Sequence, residues 1–372
     1  MASPTLVSRP DENRWSAAAS LCGAAVWALF ATLAGLQRAH FGIIELLFLF
    51  APLVIVPLGL ELAHTLASSS SGQLAKALRI SHFPAALAVC IASWLPPGRT
   101  SALLSVLWLL QCALLACDRF PQSRRPGQPL LSIILSIAQF DLVLGATWLV
   151  ISRAGWRPMG FQEPIILLTA VHFHYSGFAT ALIASVTLRA FEKRRLPMPG
   201  LRTLIVLIVY LPFLLAAGFV FSPMLRFVAA IALSTCVTAL AMVAGWCAGE
   251  LRTRPARIYL RAASCAAAAA FSLAGFYAVS EYFGKGWITL PGMANSHGVL
   301  NGLGFVLFSM LAWLTELHGS ESGGEARPPS HPEELDVAGQ ARSQARSGAV
   351  PDFGTGRSVP VPEFVARDFY DR

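Results

Sequence analysis

Long apolar runs alternate with short polar connections along this chain. Ten runs can be marked, at about 17–36, 42–62, 83–95, 101–117, 130–151, 164–190, 203–222, 227–248, 262–280 and 293–314. Most approach the roughly 20 residues that a helix needs to cross the hydrocarbon core of a bilayer. Inside them apolar residues occupy every face. The alternation of apolar and polar positions that marks a membrane barrel is absent. The third run is short and stops at Pro96 and Pro97. The pattern predicts an all-α fold, a polytopic transmembrane helix bundle of about ten spans.

Composition agrees. Charged residues make up 13% of the 372, against roughly 25% in soluble domains. The positive charge is unevenly placed. When the connections are numbered alternately, the side holding the N-terminus carries 16 Lys and Arg residues and the other side 6. Basic connections stay in the cytoplasm, so both termini are expected there, in the inner membrane of a bacterium. The net charge of +8 then reports topology, and nucleic acid is not an expected partner. Residues 1–16 are expected to form a short cytoplasmic N-terminus without a signal peptide. Residues 17–316 form the membrane domain. Residues 317–372, rich in Gly, Ser, Pro and charge, are expected to be a disordered cytoplasmic tail. The seven cysteines make no CxxC pair and read as small buried apolar groups.

Against this background, polar groups inside the runs stand out. In "LTAVHFHYSGF" (168–178) His172 and His174 lie eight and ten residues from the start of the sixth run. That is about 12–15 Å deep at about 1.5 Å per residue. In "HGVLNGLGF" His297 and Asn301 are one turn apart and share a helix face. Asp141 lies midway along the fifth run beside Gln139, and Glu45 one turn into the second. All belong to the half of the bilayer away from the termini. Each is costly in lipid unless it meets a partner or a wet cavity. A shared pocket in that half is the simplest expectation.

Helix geometry qualifies it. Residues two apart are about 200° apart around a helix, so His172 and His174 cannot face one centre. His172 shares its face with Thr169, Tyr175 and Ser176. Interhelical hydrogen bonding is one reading of these histidines. Acid/base work is a second, with His172, His174, His297 and Asp141 as the reactive groups. Glu45, Tyr175, Asn301, Thr169 and Ser176 would then contact the substrate. A metal on His172, His297 and a carboxylate is a third, but no HxxxH spacing supports it. No cofactor is specified, and no Walker A, GxSxG or GxGxxG motif is present.

"LTAVHFHYSGF" and "HGVLNGLGF", in this order on late helices, resemble hallmark segments of the YndJ-like bacterial membrane proteins. "APLVIVPLGLEL" resembles that family's early helix. The resemblance covers roughly 40 to 315. It implies a transporter-like protein and places His172, His174, Tyr175, His297 and Asn301 on the family's motif positions, with Ser176 and Gly302 where alanine is expected. The first expectation is a transporter of a small or lipophilic solute with proton-coupled movement, its partners being that solute and the lipid bilayer. The alternatives are an intramembrane isomerase or cyclase using the same histidines, and a membrane sensor acting through its tail.

Overall fold

The computed structural model describes residues 10–66, 73–119 and 129–322. The expected tail from 323 onward lies outside them. Among the described residues ten helices are long and apolar enough to cross a membrane. They are α1 (Trp15–Gly35), α2 (Ile43–Leu66), α3 (Gln73–Trp94), α4 (Arg99–Asp118), α5 (Leu130–Ala154), α6 (Ile165–Arg194), α7 (Leu201–Phe221), α8 (Pro223–Glu250), α9 (Arg254–Tyr282) and α10 (Leu290–Gly319). Each expected run falls on one of them, and no strand occurs among the described residues. In lipid a helix satisfies its own backbone, so this is the form such runs must take.

Several boundaries differ from expectation, the ninth helix for instance starting at Arg254, eight residues before its run. The third helix begins at Gln73, ten residues before the apolar run, and carries Pro84 inside. Its polar start is kept helical by partners. Ser81 donates to Gln111 Oε1 at 2.8 Å, and Gln111 Nε2 donates to the Leu78 carbonyl at 2.8 Å. The last helix continues to Ser322, past the boundary expected at 316.

Helices α2 and α6 form the centre. Their most apolar windows are 83% and 78% buried, against 11% for α1. They pack on each other and, with α10, on one another's widened turns. The pairs α3–α4 and α4–α5 pack on one side, and α7–α8 and α8–α9 on the other. The three central helices run in the same direction, and each contains π-helical turns: Ala51–Ile55 in α2, Phe173–Ala179 in α6, and Ala294–Gly298 with Leu300–Val306 in α10. Such turns are rare and concentrate at functional sites.

In α2 the cause is visible in the sequence. Pro52 and Pro57 each lack an N–H. Carbonyls that a widened helix would bond to them, those of Leu47 and Pro52, are left for other donors. Tyr175 Oη–H of α6 donates to Leu47 O at 2.8 Å. His82 Nε2–H of α3 donates to Pro52 O at 3.0 Å. Two missing hydrogens on α2 thus become two interhelical bonds.

Candidate functional site

A cavity of about 260 Å³ opens among α5 to α10, at the end of the bundle formed by the loops after α5, α7 and α9. Its walls are mostly apolar and aromatic, among them Trp148, Phe219, Phe227 and Phe271. Its floor is polar and comes from α6 and α10: Thr169, His172, Tyr175 and Ser176 from one, His297 and Asn301 from the other. The helix face expected for His172 is the face that lines the cavity. Each histidine lies about two turns from the start of its helix, so they reach similar depths. Gly302 allows the approach: a β-carbon there would sit 3.2 Å from the Tyr175 ring and 3.3 Å from Leu47.

The hydrogen bonds of the floor fix its chemistry. His172 Nδ1–H donates to Leu168 O at 2.8 Å, and His297 Nδ1–H to Ala270 O of α9 at 2.9 Å. A carbonyl only accepts, so each ring carries its hydrogen on Nδ1. In the neutral ring Nε2 then holds a lone pair. Thr169 Oγ1–H donates to Ile165 O at 2.9 Å. Asn301 Oδ1 is buried without a hydrogen-bond partner.

Three residues expected at the site lie elsewhere. His174 is fully buried on another face of α6. Its Nδ1–H donates to Ala170 O at 2.8 Å, and its Nε2 accepts from Trp108 Nε1–H at 3.2 Å. Phe48 packs edge-on against it at 5.1 Å. Both nitrogens are therefore engaged. Asp141 is fully buried, does not line the cavity, and has neither carboxyl oxygen hydrogen-bonded. It packs against the π turn of α6, where a β-carbon on Gly177 would stand 2.6 Å from its Cβ and Cγ. Glu45 lies in the first turn of α2 and folds back, its Oε2 2.8 Å from where a Gly42 β-carbon would stand. A carboxylate there complements the helix dipole. Neither carboxylate orients a histidine of the cavity. Among the described residues no group of three or more His, Cys, Asp or Glu side chains is placed to hold a metal ion.

The mouth holds a pair that the pattern did not single out. Arg226, from the start of α8, bonds Glu281, from the end of α9, at 3.0 Å. Its guanidinium also lies 4.9 Å from the Phe219 ring centre. Opposite charges at adjoining ends of consecutive helices were the available signal.

At the far end of the bundle carboxylates tie helices together. Glu316 of α10 bonds Arg194 of α6 at 2.9 Å and accepts from the backbone N–H groups of Arg252 and Thr253, at 2.9 Å and 3.2 Å, where α9 begins. Glu61 of α2 lies 2.9 Å from His318 Nε2 and accepts from Ser16 Oγ–H.

Comparison with known proteins agrees with the motifs. The YndJ-like protein family matches residues 46–305. The chain is 28% identical over 230 residues to a protein of Bacillus subtilis (strain 168) described as an uncharacterized membrane protein, YndJ. The match covers 58% of this chain and 40% of that protein, so the chain spans about two fifths of its relative's length. No solved structure matches. With well over half of its residues matched, and with the cavity histidines of α6 and α10 inside that match, this chain belongs to the YndJ-like family.

Proposed function

We propose that the protein binds a small lipophilic solute in this cavity and carries it across the membrane. One observation carries the reading: His172 and His297, from two separate helices, line one largely apolar hollow together with Asn301. Ligand pockets have this composition, apolar walls with a few convergent polar groups. The volume of about 260 Å³ lies at the lower edge of the usual range of roughly 300–1,000 Å³, which favours a small solute over a whole lipid. The charge bias of the connections supports an orientation with the cavity facing outward and both termini in the cytoplasm of a bacterium. In that orientation Glu316 and Glu61 hold the cytoplasmic end closed, as alternating access requires of one of its two states. Protonation of the histidines would couple a proton gradient to movement. The enzymatic reading pairs the histidines with Asp141 or Glu45 as acid/base groups. Asp141 and Glu45 do not line the cavity, and Glu281 is engaged with Arg226.

The test uses proteoliposomes, an imposed proton gradient and a panel of small lipophilic dyes that fluoresce only in membranes. Gradient-dependent redistribution by the wild type is expected. His172→Ala and His297→Ala should each abolish it while inserting normally, as judged by a C-terminal fluorescent fusion. Wild-type redistribution in both variants would refute the site.

A further inference from the structure

We infer that the cavity floor selects an uncharged alcohol: an apolar body bearing a hydroxyl that donates its hydrogen to Nε2 of His172 or His297. The inference rests on the proposal that the cavity is a ligand site, and it names the head group taken there. The Nδ1–H groups of His172 and His297 are donated to the carbonyls of Leu168 and Ala270. The hydroxyl hydrogen of Thr169 goes to Ile165 O and that of Tyr175 to Leu47 O. Four polar side chains of the floor have thus committed these hydrogens to backbone carbonyls. What they offer a ligand is lone pairs.

Two unshared imidazole lone pairs discriminate by the sign of the head group. A carboxylate or phosphate brings only acceptors and would set its charge against the two Nε2 lone pairs. An ammonium brings donors, but also a charge that needs a counter-ion when buried. Among the described residues the one carboxylate lining the cavity, Glu281, is already paired with Arg226 at the mouth. A hydroxyl brings one donor and no charge. Its oxygen then accepts from the Asn301 amide, whose own oxygen has no partner. A site that bonds a hydroxyl favours it over the analogue lacking it by the hydrogen bonds the analogue cannot make.

The experiment uses the full chain in lipid nanodiscs and four chain-matched probes whose bromine quenches tryptophan: 8-bromooctan-1-ol, 8-bromooctylamine, 8-bromooctanoate and 1-bromooctane. Trp148 in the cavity wall is the reporter. After correction for partitioning into empty nanodiscs, the alcohol should bind about tenfold more tightly than each of the others, the gain expected from two net hydrogen bonds. In His172→Phe and His297→Phe that advantage should shrink to about twofold, while 1-bromooctane binds as before, showing that the fold and the apolar walls survive. Equal affinity for all four probes would overturn the inference. So would tighter binding of the octanoate, which needs imidazoles that donate, or of the amine, which needs an unpaired anion. If the alcohol binds as expected but the proteoliposomes move nothing, the transport proposal fails and the head-group assignment stands.

Discussion

The two ends of α10 bury polar groups to opposite effect. At the end away from the cavity Glu316 accepts from a guanidinium and two backbone N–H groups, holding α6, α9 and α10 together. At the cavity end His297 and Asn301 belong to the same helix, yet keep Nε2 and Oδ1 without partners. A buried charge must be matched by the protein itself, or it costs several kcal/mol. A neutral imidazole or amide is cheaper to leave half-used. The charges are therefore spent on holding helices, and the neutral groups are left for a visitor.

Breaking the Glu316 end should have the largest effect. Glu316→Ala strands Arg194 and the two N–H groups at the start of α9, and should cost about 3 kcal/mol. A thermal-unfolding scan of the detergent-purified protein checks this, and an unchanged midpoint would mean that the carboxylate holds nothing. Gly177→Ala comes next. Its β-carbon would stand 2.6 Å from Asp141, and overpacking of this kind costs about 1–3 kcal/mol. The same scan applies, with Gly59→Ala beside it as a second tight contact, facing the Phe178 ring at 2.6 Å. The neighbouring histidines sharpen the contrast. His174→Phe should lose about 1 kcal/mol of stability through the lost Trp108 bond and leave probe binding unchanged, whereas His297→Phe should change binding. Equal binding losses in both would erase the distinction between a packed and a ligand-facing imidazole. Glu45→Gln should be smallest, at about 0.3–1 kcal/mol for a first-turn carboxylate, with no change in probe binding.

The spans were legible because hydrocarbon demands long unbroken apolar helices, and ten runs gave ten helices. The faces were legible too. Helical periodicity set His172 beside Thr169, Tyr175 and Ser176 and turned His174 away from them. It also put His297 with Asn301. What periodicity cannot supply is the identity of the helix on the other side. That His174 meets Trp108 of α4, or that Asp141 meets Gly177 rather than an imidazole, depends on how helices are arranged, and one helix's sequence carries no record of that. Glu316 was missed for a related reason. At the end of an apolar run a carboxylate looks like the start of a polar tail, and its partners lie 64 and 122 residues away.

One part of that arrangement is written plainly in the chain. Pro57 of α2 has no hydrogen to give, and a histidine thirty residues from Pro52 fills the vacancy. An alanine at 57 would hand Pro52 a donor of its own and leave His82 with nothing to address on α2. The neighbour of a helix is here specified by an atom that the helix lacks.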